Sequence, residues 1–233
     1  MIALLSVLFV VSQLLGVFDL KGAAAAVVIG GFITLIADIQ WLILLLVFAF
    51  SAHIATKAWL KSKKEKLLQE GNLGERGYSN VMYAGIVGFI IAVVYGISRI
   101  VNVLHGPYFF LFSVSFAVIE ADTFASEIGV MDSKTFMITN FKRVSPGING
   151  GISFIGTAAS FLGAFIIALS YSLLAFGNIR LFPLITITLL GALGSVIDSI
   201  FGATLENKKF VTKGQVNLLS TLIIVAAAVP LAI

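Results

Sequence analysis

Three acids, Glu120, Asp122 and Glu127, fall inside one apolar stretch, VIEADTFASEIG, and a fourth, Asp198, falls inside another, GSVIDSIFGA. A carboxylate in a membrane span is costly unless it is paired, metal-bound or in a wet cavity, so such acids point to function by default. A lone one is as readily a protonated group, or one hydrogen-bonded to the next helix. Three on one helix with a fourth on another weigh against that bland reading. Helical spacing puts Glu120 and Glu127 on one face and Asp122 and Ser126 on a neighbouring one. Ser195, Asp198, Ser199 and Gly202 follow i, i+3, i+4, i+7. That is a polar stripe with small residues, which suits close packing or ligand approach.

A third group lies in the loop KRVSPGINGGIS, residues 142–153. Pro146, Gly147, Asn149, Gly150 and Gly151 cannot form a lipid-exposed helix. Alone they read as a plain turn between helices. A Gly-rich turn that opens a helix also presents backbone N–H groups and the positive end of the dipole to phosphate. Lys142 and Arg143 add full positive charges, and Ser153 stands at the helix start. Acids, N–H groups and basic side chains together make a sharper picture. Carboxylates would hold Mg²⁺, the metal would bridge phosphates, and the remaining oxygens would be cradled. Those are the general parts of phosphoryl or nucleotidyl transfer.

Two absences narrow the chemistry. The chain has no Cys, which removes disulfides, thiolate metal sites and Cys nucleophiles. It has two His, His53 and His105, far apart in sequence. A metal here is therefore expected to take oxygen ligands. The lack of a catalytic His suits an acceptor that is already a phosphate monoester. Its oxygen is anionic and needs no general base, leaving positioning and charge neutralisation as the catalytic work.

The elements that must position these groups follow from composition. Only 11% of the 233 residues are charged, 59% are apolar and mean hydropathy is +1.09. Ordinary soluble domains are about 25% charged. A soluble globule and a disordered chain are both excluded, which leaves an all-α, polytopic integral membrane protein. Apolar runs predict eight spans: 2–18, 23–36, 39–58, 81–100, 108–129, 152–176, 181–203 and 216–233. The count falls to seven if the short, Gly-containing second run is re-entrant. The first run has no basic region before it, so it is expected to be a retained helix. Thirteen of the fifteen basic residues then fall on one side, with only Arg99 and Arg180 on the other. The positive-inside rule puts loops 59–80, 130–151 and 204–215 in the cytoplasm and both termini outside. At about 1.5 Å per residue, Glu120 lies ~18 Å and Asp198 ~26 Å from the outer ends of their helices. Both are in the cytoplasmic half. One membrane domain, 1–233, is expected, with no soluble domain and no internal repeat. The Lys cluster at 61–66 reads as a solvated basic loop that attracts anionic lipid. The net charge of +4 is a topology signal, and no nucleic-acid partner is expected.

The motifs ADTFASEIG (121–129), SPGINGGISFIGT (145–157) and GSVIDSIFGATLE (194–206) resemble the membrane-protein family that includes the plant phytyl-phosphate kinase. The resemblance continues at GERGYSNVMYAG (74–85) and QVNLLST (215–221), in matching order over most of the chain. A wider clan holds dolichol kinases, phytol kinase and CDP-diacylglycerol synthase. It shares an Asp-x-x-x-Ser pattern, here Asp122 and Ser126, and uses CTP with Mg²⁺. The resemblance implies a kinase that converts an isoprenyl monophosphate to its diphosphate with CTP or another nucleoside triphosphate. It assigns Asp122, Glu127 and Asp198 to the acidic positions, with Glu120 a further candidate metal ligand from its place in the span. Ser126, Pro146, Gly147, Gly150, Gly151, Ser153, Ser195, Gly202 and Asn217 match its polar and Gly positions, and Arg76 and Asn80 the basic and amide positions upstream. The chain departs from the pattern at Ala84, often Asn in relatives, and at Gly214, often acidic.

Two further readings stay open. One is a lipid-alcohol kinase or a cytidylyltransferase making a CDP-lipid. The other is an ion-coupled transporter, since intramembrane acids and broken helices are also transporter features. Acids cytoplasmic of the midplane, and no inverted repeat, favour the enzyme. The expected setting is a prokaryotic cell membrane, with the isoprenyl phosphate drawn from the lipid bilayer. Oligomeric state stays open.

Overall fold

A computed structural model describes residues 9–10, 12–65, 67–68, 75–102 and 106–231. Residues 2–8 and 11 of the expected first span, together with Lys66, Gly74 and His105, lie outside these described residues. The helices are α1 (Leu20–Ile36), α2 (Ile39–Lys57), α3 (Leu60–Glu65), α4 (Tyr78–Val101), α5 (Tyr108–Gly129), α6 (Phe154–Phe176), α7 (Leu181–Phe201) and α8 (Lys213–Ala228). A π-turn, Gly202–Glu206, extends α7, and a 3₁₀ turn, Val229–Leu231, ends the described chain.

Among the described residues, six helices are long and apolar enough to cross a membrane: α2, α4, α5, α6, α7 with its π-turn, and α8 with its 3₁₀ turn. The second expected span appears as α1, a shorter apolar helix of 17 residues. Only Ala37 and Asp38 separate it from α2. The Asp19 side chain caps α1 by accepting from the Gly22 N–H at 2.6 Å.

Helix α5 is the hub and the most deeply buried span. Small residues let its neighbours close on it, because interhelical packing in lipid depends on close backbone approach. A Cβ on Gly163 of α6 would sit 2.7 Å from the Glu120 carbonyl oxygen. One on Gly191 of α7 would sit 2.8 Å from that of Ala117. At the end of α5, Gly129 lies against Gly156, where a Cβ would come within 2.9 Å of the opposite Cα. Helices α6 and α7 therefore touch α5 backbone to backbone beside the acidic motif.

The 130–151 loop differs from the expected irregular turn. It holds β1 (Thr135–Met137), β2 (Arg143–Val144) and β3 (Gly151–Ile152), an antiparallel sheet in the order β2-β1-β3. In register, Phe136 faces Arg143 on one side and Ile152 on the other. The short strands carry no long apolar run, so the sheet leaves no hydropathy signal.

One end of the bundle gathers the start of α4, the end of α5, the sheet loop, the start of α6, the π-turn and the start of α8. The opposite end holds the 37–38 and 177–180 turns. There the Tyr95 hydroxyl donates to Asp38 at 2.8 Å, and Arg99 pairs with Asp38 at 3.5 Å. The chain lacks Cys, so single Cys substitutions test orientation cleanly. Ser133→Cys in intact cells should resist a membrane-impermeant maleimide, and Asn178→Cys should react. The reverse pattern would invert the topology.

Candidate functional site

A cavity of about 370 Å³ opens among α5, the sheet loop, α6, the π-turn and α8. Asp122 and Ser126 enter it from α5, and Ser195 and Asp198 from α7. Ser153 and Thr157 come from the start of α6, Glu206 from the π-turn and Lys213 from α8. Asp122 and Asp198 are both half-buried. Asp198 senses the charges of Asp122, Lys213 and Glu206, and its Oδ2 accepts from the Ser220 hydroxyl at 3.2 Å. With Glu127 at its edge, the cavity thus holds four carboxylates, several hydroxyls and one ammonium.

The π-turn makes this possible. A π-turn inserts an extra residue into the helix, and such turns recur at functional sites. Here it carries the chain past the predicted helix end at Ala203 and turns Glu206 inward, where it accepts from the Asn149 side chain. Asn207 Nδ2 donates to the Asn149 carbonyl at 3.0 Å, tying the Gly-rich loop to the turn. The loop needs its glycines for this. Gly147 and Gly150 have φ of +86° and +78°, a region costly for other L-residues. A Cβ on Gly150 would also lie 2.7 Å from the Ala203 nitrogen and 2.8 Å from its Cα. Gly150→Ala should lower stability by about 1–2 kcal/mol from the backbone alone. Thermal unfolding in detergent reads this, and an unchanged midpoint would show that the loop is not docked on the turn.

Beside the cavity lies a narrow neck of about 30 Å³. It shares Asp122, Ser126, Glu127 and Lys213 with the cavity and adds Arg76, Asn80, Tyr83 and Asn217. Arg76 Nη2 donates to Thr123 Oγ1 at 3.1 Å. Arg76 Nε and Asn217 Oδ1 are buried atoms that lack a hydrogen-bond partner among the described residues. Buried polar atoms are rarely left unmatched, so the neck suits a polar ligand group or water. Ala84 and Gly214, the two departures from the resembled pattern, both line it.

The four-acid metal set expected from sequence does not assemble. Glu120 and Glu127 do share a face, as their spacing implies, but their carboxylates meet α2 and α3, and of the two only Glu127 also borders the cavity. Glu120 is fully buried, and its Oε1 accepts from Ser51 of α2. Glu127 Oε2 is held by Lys63, which is itself fully buried. Lys63 also donates to the Thr56 carbonyl at 2.7 Å. The Lys cluster is therefore not wholly solvated: α3 folds back and buries one member. Among the described residues, no group of three or more His, Cys, Asp or Glu side chains is placed to hold a metal ion. Asp122 and Asp198, with the Ser hydroxyls, remain an all-oxygen donor set. That suits Mg²⁺, which is commonly held by one or two carboxylates plus substrate phosphates.

Lys142 and Arg143 also differ from expectation. Pairing of β2 with β1 turns both outward, and neither lines the cavity. Arg143 Nη2 donates instead to the Ser133 carbonyl at 3.4 Å. Part of the expected N–H cradle is already used. The Gly151 N–H donates to the Ile148 carbonyl at 2.9 Å, and the Gly156 N–H to Ser153 Oγ at 3.1 Å. Gly147, Asn149, Gly150, Gly151 and Ser153 still line the cavity. The cation that enters it is Lys213, which the sequence reading used only for topology. Its signal was available: Lys213 follows the capping Thr212 and lies four residues before Asn217, on the same helical face.

The chain is 31% identical over 208 residues to an uncharacterized membrane protein of Methanocaldococcus jannaschii, covering 88% of this chain and 82% of that one. It is 29% identical over 217 residues to Protein PGR of Arabidopsis thaliana, covering 82% and 73%. It is 30% identical over 157 residues to the chloroplastic protein VTE6 of the same plant, covering 66% and 46%. No solved structure matches it. The model of the family described as integral membrane protein DUF92 matches residues 3–225, so the chain belongs to that family.

Proposed function

We propose that the protein is a membrane kinase that transfers the terminal phosphate of a nucleoside triphosphate, CTP by resemblance, to an isoprenyl monophosphate. The observation that carries this reading is the oxygen-rich cavity joined through a cationic neck to the bundle interior. The motif resemblance to the phytyl-phosphate kinase family supports it, as does the similarity to the chloroplast protein of Arabidopsis.

In this reading the nucleotide's phosphates occupy the cavity, and Lys213 offsets their charge. Asp122 and Asp198 would hold Mg²⁺, which would supply charge neutralisation at the phosphate oxygens. Arg76 and Asn80 hold the acceptor phosphate in the neck, with Asn217 opposite. An oxygen of that phosphate attacks the terminal phosphorus, and the bond to the bridging oxygen breaks. The nucleoside diphosphate leaves with the electron pair. The Ser126 and Ser195 hydroxyls supply neutral donors on the cavity wall. The positive-inside distribution of basic residues favours a cytoplasmic site, in a prokaryotic cell membrane.

The test offers purified protein gamma-labelled nucleoside triphosphates with Mg²⁺, together with isoprenyl phosphates and isoprenols. Label in a diphosphate is the expected result. Label only in a monophosphate would reassign the protein as an alcohol kinase. No transfer at all, with ligand uptake into liposomes, would make it a carrier.

A further inference from the structure

A second space lies beyond the neck. It is a groove of about 210 Å³ between α1, α2 and α4. Small residues open it: Ala23, Ala26 and Gly30 on α1, with Ala49 on α2. Val81, Ala84 and Gly85 of α4 form the far wall, and Phe116 of α5 the floor. Its lining is almost wholly apolar, and Arg76 and Asn80 sit at one end. Those two residues and Ala84 also line the neck. Apolar groove, cationic neck and acid-lined cavity therefore lie in sequence and share walls.

We propose that this groove holds the isoprenoid tail of the acceptor, and that Arg76 fixes the phosphate where groove and neck meet. The proposal rests on the kinase reading and deepens it by assigning the tail site. Charge order is the first argument. An amphiphile with one apolar chain and a phosphate head matches an apolar channel ending at a guanidinium. Arg76 is also built to stay there. Its N–H donates to the Val17 carbonyl and its own carbonyl accepts from the Asp19 N–H, both at 3.1 Å. A Cβ on Gly22 would strike that carbonyl, so α1 is fitted against the Arg76 backbone. With Nη2 engaged by Thr123, Nε remains for a phosphate oxygen.

Dimensions supply the second argument. From Ala23 to Gly30, and from Leu42 to Phe50, the groove runs ~10–12 Å along the helix axes. That is less than half of a hydrocarbon core of about 30 Å. The far end of a long tail therefore continues into the bilayer. The groove thus reads the phosphate-proximal part of the tail.

The probe is geranylgeranyl monophosphate carrying a diazirine, added to the full chain in nanodiscs without nucleotide. Mass spectrometry should find the label on residues 23–30 and 42–50. Unlabelled geranylgeranyl monophosphate should compete, and excess phosphatidic acid should not. Ala26→Phe and Ala49→Phe should each cut labelling at least tenfold. They should raise KM for the long-tailed acceptor while leaving KM for the nucleotide unchanged. Label spread over lipid-facing helices, or displaced equally by phosphatidic acid, would overturn the proposal. The wild-type map decides this even if a variant fails to fold. Labelled groove without transfer from any nucleotide would sink the kinase reading and keep the groove. Transfer with label elsewhere would do the reverse.

Discussion

Asp122→Asn and Asp198→Asn should each lower phosphoryl transfer by about 100-fold or more, the usual scale for losing one preorganised charge in a transfer site. Neither should lower the unfolding midpoint. The two acids enter one cavity from α5 and α7, and Asp198 also senses Glu206. The negative charges of Asp122 and Glu206 disfavour that of Asp198, and Lys213 offsets part of this repulsion. Removing one negative charge should therefore leave stability unchanged or raise it. Asn keeps the shape and can still accept from Ser220, so packing around Asp198 is retained. The informative result is the combination: activity lost, midpoint held, and the Mg²⁺ concentration needed for residual activity increased. A variant with full activity would remove that acid from the site. A variant that lost activity only by unfolding would make the acid structural. Glu206→Gln is the natural comparison, since Glu206 lines the same cavity from the π-turn.

What sequence made legible was set by the strength of each local signal. A long apolar run is unmistakable, so all six of the long helices were anticipated within a few residues. Spacing on a helix is rigid, so Asp122 with Ser126, and Ser195 with Asp198, were correctly grouped, and both pairs do line one cavity. Spacing gives relative faces, however, and not what each face meets. Glu120 was wrongly joined to Asp122, because its carboxylate meets Ser51, whereas Glu127 does border the cavity that Asp122 enters, with its carboxylate held by Lys63. Long-range pairs of this kind, 69 and 64 residues apart, leave no local trace. The sheet was missed because strands of two or three residues show no period. Its pairing then carried Lys142 and Arg143 away from the cavity that their sequence neighbourhood suggested. Lys213 was hidden in a different way. Sorted with twelve other cations as a topology marker, it is the one that enters both cavity and neck.

The largest effect on stability is expected at the Lys63–Glu127 pair. Lys63 is 0% and Glu127 6% exposed, which is rare for either residue type. Each charge is tolerable only because of the other. Lys63→Met would leave the Glu127 carboxylate without its cation, and Glu127→Met would leave a buried ammonium with the Thr56 carbonyl as its strongest remaining acceptor. Breaking one half of a buried pair typically costs about 3–5 kcal/mol. For a chain of this size, 3 kcal/mol alone is roughly a 6–12 °C fall in midpoint. The double variant Lys63→Met with Glu127→Met should recover most of that loss, because well-packed apolar residues often replace a buried pair at little cost. Additive losses in the double variant would mean that the two side chains do not interact. The pair has a second consequence. It clamps α3 to the end of α5, one turn beyond Thr123, the residue that anchors Arg76. If the clamp is what keeps Leu67 and Leu68, just after α3, against the cavity, the double variant will be stable yet bind nucleotide less tightly. Equal KM for nucleotide in wild type and double variant would confine the pair to stability alone.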